Sequence, residues 1–547
     1  MNVTRLIIPK NLQVDKLIED HPPKIDDFNK WKLQYFVHLV SFLPSISKKL
    51  RDESSGFVYL SSRSMQAAAH NYRSYLDYLI CHEILEENGS YRTGSFPKSY
   101  RLTPKYANLG YRFIKVDDDA FSKIVQKNTG LTNDEKRAVR TNYWHLVKQF
   151  DGLKFDFAAA DNYTNFLQSE TLKVVTTEQE IGYLNRRIAE INTMNDLLRN
   201  RDYRCKVDES SGRFHSLITR LKKEYRHFLT FKGEPLVSLD IKCSQPYIAQ
   251  RLIMPQFWLE PAGSIHQRSR PGPLQLSARN TKKRFQKFLG EPLKEMLKRS
   301  EASWGIKIAD IEHRIHQDVR EALRKAMKTT PMLAVTTHLT DKQSFMVFSN
   351  LVNHGDIYNH TLDILSERLP SDPRLKKLYD AAPFALDRNS MKSLVLRGMY
   401  SPSRSKVPTS KLIHKIFKEE FPGVERLFNK AKNQGAGTYR VLALLLQAIE
   451  SEILLNRVCK RIYSNHHIPF FTIHDCILTT AKYKLQVKDI MEEEFEKAIS
   501  VKPRIEEESY AVEDLNPVPR LLLKNKEVYV SLDDIQVEES LKVGSLT

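Results

Sequence analysis

The stretch PLVSLDIKCSQPYIAQRLI (235–253) decides how the rest of the chain is read. Leu236, Val237 and Leu239 form a short apolar run of strand-forming residues that ends on Asp240. SQPYIAQRL follows at once and has the look of a turn into a helix. A strand that delivers a carboxylate to its end, next to a helix start, is one half of a site. The other half lies far downstream in IPFFTIHDCILTTAKY (468–483), where two apolar strands flank His474-Asp475. That pattern predicts a tight hairpin with an acid at its tip. Between them, FALDRNSMKSLVLRGMYSPS (384–403) spaces Arg388, Lys392 and Tyr400 at offsets of four and eight, along one helix face.

Taken singly these features are ordinary. Strand-end aspartates are usually just solvated, Arg and Lys at i and i+4 usually form a surface pair, and His-Asp is common turn chemistry. Taken together they fit phosphoryl transfer, which asks a protein for positioning and charge neutralisation. Two converging aspartates suit a pair of Mg²⁺ ions, which prefer carboxylate, water and phosphate oxygens. A cationic helix face suits a triphosphate, and an aromatic ring two turns further on suits a base pair.

The composition agrees. The chain has 547 residues, with 85 Lys and Arg against 66 Asp and Glu, a formal charge of +19. Such a chain attracts polyanions, nucleic acid first and anionic membrane surfaces second. No apolar run approaches the ~20 residues of a membrane span, and the N-terminus lacks the pattern of a signal peptide. Five scattered cysteines with no CxxC pair support neither a disulfide framework nor a zinc ribbon. An intracellular, cytosol-like compartment is expected.

At motif level, over roughly residues 205–500, the chain resembles the family A (Pol I-like) DNA polymerases. DIKCSQPYIAQRL resembles motif A, RNSMKSLVLRGMY motif B and TIHDC motif C. GDIYNHT (355–361), LLLQAIESEILLNRV (444–458) and SGRFHS (211–216) resemble further family segments in the right order. The resemblance implies an α+β right-hand polymerase with an antiparallel palm sheet, helical fingers and thumb, and a mainly helical N-terminal region. It implies that Asp240 and Asp475 bind two Mg²⁺ ions (Mn²⁺ as a substitute), with the Ile241 carbonyl as a third contact. Arg388 and Lys392 would hold the incoming triphosphate, and Lys392 would also protonate the pyrophosphate. Tyr400 and Leu396 would flank the nascent base pair. His474 would touch the primer terminus, and Arg213 and Gln447 would contact the primer-template. Gln245 stands where the family usually has the glutamate that excludes a ribose 2′-OH.

The departures matter. Besides Gln245, Leu396 replaces a usual aromatic, Ser401 a glycine and Tyr358 a histidine. The single-subunit RNA polymerases share the palm, and their DxxCS pattern is matched by Asp240 to Ser244. The expected partners are therefore a DNA primer-template and dNTPs, with a single-subunit RNA polymerase as the near alternative. A non-catalytic DNA-binding replication initiator and a template-independent nucleotide-adding enzyme are the more distant ones. A monomer suffices for any of these roles.

The expected organisation is an N-terminal helical region (1–110), a helical thumb-like region (111–205), palm (206–254), a basic insertion (255–350), fingers (351–435), palm again (436–504) and a loosely attached acidic tail (505–547). Within the first region, the helical run 62–87 followed by turn and strand formers (88–103) with Arg92, Lys98 and Arg101 suggests a winged helix, whose hairpin would touch a DNA backbone. Too little chain precedes the palm for a proofreading exonuclease, as in a polymerase of a phage, plasmid or other mobile element. The apolar stripe Ile181, Leu184, Ile188 and Ile191 marks a long helix that serves as a thumb arm or as a structural hairpin.

Overall fold

The computed structural model describes residues 4–46, 56–89, 98–129, 133–208, 211–253, 339–432, 441–465 and 468–515. The architecture is mixed α and β, and among the described residues every strand pairing is antiparallel. The basic segment expected as an insertion lies mostly outside the described residues.

A six-stranded sheet organises the larger of the cores. Its order is Phe471–Ile473, Cys476–Thr480, Glu234–Ile241, Leu229–Phe231, Leu153–Phe155, and Ile505–Ser509 pairs with Glu234–Ile241 beside this path. The long strand is apolar through its middle because helices cover the sheet. Leu236, Leu239 and Ile241 are all nearly inaccessible. Helix Lys484–Ile499 packs on the long strand and on Cys476–Thr480, and helix Ser244–Ile253 packs against Lys484–Ile499.

The strand Ile505–Ser509 corrects an expectation. The acidic composition from 505 predicts a loosely attached tail, yet Ile505–Ser509 is a full sheet member in register with Val237–Ile241. Tyr510 behind it is buried, and Arg226 donates to its hydroxyl at 3.0 Å. The edge position of Ile505–Ser509 explains why the sequence misled: four of its five residues are exposed, so its composition reads as tail although its backbone is paired. The expected strand at 527–532 lies outside the described residues.

Helices Leu339–Asn353, Ile357–Arg368, Pro373–Asp380, Arg388–Tyr400, Pro408–Glu420 and Pro422–Lys432 form a helical layer beside the sheet. Three of them start on aspartate caps: Asp356, Asp372 and Asp387 each accept backbone N–H groups of the first turn. The first helix corrects the insertion boundary, set at 350. Phe345 and Phe348 of Leu339–Asn353 are core residues, and Asn353 exchanges two amide hydrogen bonds with Gln250 at 2.7 and 2.9 Å. Residues 339–350 thus belong to the folded body.

The N-terminal part has its own core. Helices Lys30–Ile46, Ser62–Ala68 and Tyr72–Cys81 pack with strands Val58–Tyr59, Leu85–Asn88 and Ser99–Leu102, with the last strand in the middle. The helical run expected over 62–87 ends at Cys81, and Leu85–Asn88 is a strand. The hairpin cations are neutralised locally: Lys98 pairs with Glu87 at 2.5 Å and Arg101 with Glu86 at 2.6 Å. Arg92 lies outside the described residues. Helix Glu178–Arg199 starts on a Thr177 cap and buries Leu184, Ile188 and Ile191 in the larger core. It also packs against Lys30–Ile46, so it is clamped between the two cores rather than projecting as an arm.

Candidate functional site

The site is assembled where three strands meet. Register places Asp240 opposite Cys476 on one side and opposite Glu506 on the other. Residues directly opposite in antiparallel strands share a face, so Glu506, Asp240 and Cys476 form a row across the sheet. Asp475 is the residue before Cys476, in the two-residue turn joining Phe471–Ile473 to Cys476–Thr480. The turn needs a left-handed residue, and His474 provides it with φ of 55°. Histidine tolerates that conformation better than a β-branched residue would.

The two aspartates therefore meet, though they lie 235 positions apart in sequence. Asp240 is open to solvent by surface area, yet protein atoms crowd it on most sides. Burial, and next the Asp475 charge, push its pKa up to about 7, with Lys392 opposing and Glu506 adding to the rise. The Ile241 backbone N–H, one residue on, donates to the Asp240 carboxylate.

Arg388, Lys392, Leu396 and Tyr400 all lie on helix Arg388–Tyr400. Lys392 is exposed and its charge acts on Asp240. Arg388 is not free in this state: its Nε donates to Asp356 at 2.9 Å, and its guanidinium lies 5.3 Å from the centre of the Tyr358 ring. Burial works to raise the Asp356 carboxyl, but the Arg388 hydrogen bond and the N–H groups of Tyr358 and Asn359 outweigh it and hold it below the usual range. Lys242 lies between Asp356 (3.9 Å) and Glu506 (3.1 Å). Arg504 adds a bond to the Gly355 carbonyl at 2.6 Å. These contacts tie the start of the helical layer to the end of the Asp240 strand. Leu396 is half-buried against the larger core.

At the other end of the same helix, the Tyr400 hydroxyl donates to Gln245 Oε1 at 2.6 Å. The Gln245 amide nitrogen donates to Glu450. Glu450 in turn accepts from Arg213 Nη2 at 2.6 Å and Nε at 2.8 Å. Its side chain is wholly inaccessible. Burial pushes the Glu450 carboxyl above the usual range; Arg213 opposes this, while Asp475 and Asp240 add to it. Three donors converge on its oxygens, yet burial outweighs them and pushes the carboxyl up to about 8.

Arg213, expected on nucleic acid, is thus engaged by Glu450. His474 packs edge-on against His215 with ring centres 5.6 Å apart, and its Nδ1 is buried without a hydrogen-bond partner among the described residues. Burial and the neighbouring Arg213 hold His474 below its ordinary pKa. Burial, with His474 next, lowers His215 to about 4. Gln447 is half-buried on helix Val441–Ser451, one turn before Glu450. The helix passes directly into a π-helical stretch, Glu452–Val458.

Four residues of the site were missed in the sequence: Glu450, Asp356, Glu506 and Lys242. Glu450 had a readable signal, since a lone carboxylate in the apolar run LLLQAIE must find a partner. Asp356 had the signature of an N-cap. Glu506 and Lys242 had none, because strand pairing brings them in.

Two carboxylates at this spacing in the fold, with an opposing lysine, fit a hard divalent cation by donor chemistry. A dication would relieve the repulsion that raises Asp240. Among the described residues no group of three or more His, Cys, Asp or Glu side chains is arranged to hold a metal. Waters and substrate phosphates would have to complete the coordination. No described helix is long and apolar enough to cross a membrane. No protein-family model matches the chain, and no curated protein matches it.

Proposed function

We propose that the chain is a template-directed nucleotidyltransferase that extends a primer 3′-OH with dNTPs, a DNA polymerase of the family A type. The observation that carries this reading is the meeting of Asp240 and Asp475 at adjacent strands, beneath a helix that bears Lys392 and Arg388. In this reading the sheet is the palm and the helical layer the fingers. Asp240 and Asp475 would hold Mg²⁺, with the Ile241 carbonyl beside them. Bound there, the metal would activate the attacking hydroxyl and neutralise the leaving pyrophosphate.

The side chains have separable tasks. Lys392 binds the triphosphate and protonates the departing pyrophosphate. Arg388 joins it by exchanging Asp356 for phosphate oxygens, a trade between two anions that leaves its charge paired throughout. Tyr400 closes the base-pair end of the helix, and its contact with Gln245 occupies the sugar side. His474 lies at the hairpin tip, where the primer end would rest, with Arg213 near it, and Gln447 lies one helical turn before Glu450.

Primer extension on a defined template, with dNTPs and NTPs in parallel, tests the reading. Incorporation by the wild type, lost in Asp475→Ala with DNA binding retained, supports it. NTP incorporation in preference to dNTP would favour the single-subunit RNA polymerase reading, which the Asp240 to Ser244 pattern also matches. A wild type that binds DNA and incorporates neither would leave a binding protein. Binding should weaken steeply with salt, because the basic chain displaces counterions from phosphates.

A further inference from the structure

Two clefts meet on helices Phe157–Val174 and Glu178–Arg199. Strand Leu153–Phe155, which lines one of them, joins the sheet through Leu229–Phe231 at the Glu234 end of the long strand, and Asp240 stands near the other end. The first cleft has a volume of about 330 Å³, and each helix turns a polar stripe to it. One supplies Asp161 and Asn165, four apart; the other supplies Asn192, Asn195 and Arg199, at offsets of three and seven. Asn195 is only 3 % exposed. Its Nδ2 donates to Asp161 at 3.3 Å, while its Oδ1 is buried with no hydrogen-bond partner among the described residues, a costly state for an acceptor. Neither Asn165 nor Asn192 has a side-chain hydrogen bond among the described residues. Phe113 lines the same cleft. It shares a face of the ribbon Arg5–Pro9 and Tyr111–Lys115 with Ile7 and Tyr111, which pack with Ala189 and Leu197. Phe113 continues that face to where the helix turns polar, and it stays 37 % exposed. The rim charges cancel, Arg5 against Asp196 and Arg199 against Asp161. A bare ring and spare amides around one opening match a flat molecule with apolar faces and a hydrogen-bonding edge, which is a nucleobase.

The second cleft, of about 240 Å³, shares Arg199 with the first. It adds three partly buried rings, Phe155, Phe157 and Tyr203. The Arg199 guanidinium lies 4.8 Å from the centre of the Phe157 ring. Lys154 and Arg201 line it too, both exposed and without an ion pair among the described residues. Rings interleaved with cations hold a single strand, the rings taking base faces and the cations following phosphates. A duplex keeps its base faces stacked and cannot use such rings.

We infer that the two clefts form one groove for single-stranded nucleic acid, seating one base against Phe113 and the amides of Asn192 and Asn195 and another against Phe157, with Arg199 between them. The formal charge of +19 favours a strand over an isolated base as the occupant. Such a groove is independent of the catalytic reading. The test is equilibrium binding of a labelled short oligo-dA to the full chain by fluorescence anisotropy, in EDTA, beside an abasic strand of the same length, a blunt duplex and dAMP. The wild type should bind oligo-dA more tightly than the abasic strand. Phe113→Leu, which keeps apolar volume but loses the flat face, should weaken oligo-dA binding by about tenfold and leave the abasic strand and the duplex unchanged. Asn192→Ala should weaken it by about fivefold. Asn192 is partly exposed and makes no side-chain hydrogen bond among the described residues, so this variant keeps the test decisive even where Phe113→Leu loosens the ribbon. An abasic strand bound as tightly as oligo-dA by the wild type, or oligo-dA binding unchanged in both variants, overturns the inference. Binding of dAMP as tight as that of the strand also overturns it, in favour of a free-nucleotide pocket. A wild type that incorporates no nucleotide yet shows the expected binding pattern sinks the polymerase reading and leaves the groove standing.

Discussion

Arg213→Met isolates the energetic role of the buried carboxylate. The methionine keeps the apolar stem of the arginine and deletes the two N–H donors at 2.6 and 2.8 Å from Glu450 Oε1. Removing one partner of a buried pair costs about 3–5 kcal/mol when the remaining charge has no escape. Glu450 has one, because it can take up a proton. Even with Arg213 in place, burial pushes its carboxyl up to about 8, so the wild type already holds that proton at pH 7. There the variant loses only the hydrogen bonds of Arg213, about 1 kcal/mol. The sign of the pH dependence follows from linkage. A carboxyl whose folded pKa lies above its unfolded value favours folding below about 4.5 and loses that contribution as pH rises through the folded value. Removing Arg213 raises the folded value further, so the variant falls behind the wild type only above about pH 8, by up to about 1.36 kcal/mol for each further pH unit. A deficit of about 1 kcal/mol at pH 7 is therefore expected to grow to about 2 kcal/mol at pH 9. Urea unfolding of wild type and variant at the two pH values, followed by far-UV circular dichroism, measures it. A deficit at pH 9 no larger than at pH 7 would refute the account of Glu450 as a buried carboxyl whose ionised form Arg213 favours.

Asp475→Asn should remove the repulsion on Asp240 and stabilise the metal-free protein by about 1 kcal/mol, while abolishing incorporation; a thermal melt in EDTA checks the first and primer extension the second. Gly398→Ala should destabilise by about 1–2 kcal/mol despite the better helix propensity of alanine. A Cβ there would lie 2.8 Å from Ile413 Cγ1 and 3.2 Å from Phe417 Cε2, so helices Arg388–Tyr400 and Pro408–Glu420 would be forced apart, and an unchanged melting temperature would contradict this. Lys432 is buried, donates to the Gly398 carbonyl at 3.0 Å, and is lowered by burial to about 8. It binds its proton less well folded than unfolded, so it costs stability below pH 8 and that cost is relieved as pH climbs from about 8 toward the ordinary 10.5. Lys432→Met should thus gain most over the wild type at pH 7 and progressively less by pH 9.5; a gain independent of pH in urea titrations would count against it.

What could be read from the sequence was what short-range physics dictates. Short apolar runs of strand-forming residues marked the strand that ends near Asp240 and the hairpin around His474-Asp475, because the preference of such residues for extended backbone is local whatever the strand pairs with. The spacing of Arg388, Lys392 and Tyr400 marked their helix for the same kind of reason. The tertiary structure alone decided the partners. It set Glu506 beside Asp240 by pairing a segment that reads as tail, tied Arg388 to Asp356 across 32 positions, and joined Arg213 to Glu450 across 237. It also turned a stripe that suited a projecting arm into a helix clamped between two cores. Hydrogen bonds and ion pairs depend on distances of a few ångströms between groups far apart in the chain, and a local pattern carries no record of which buried donor will find which acceptor.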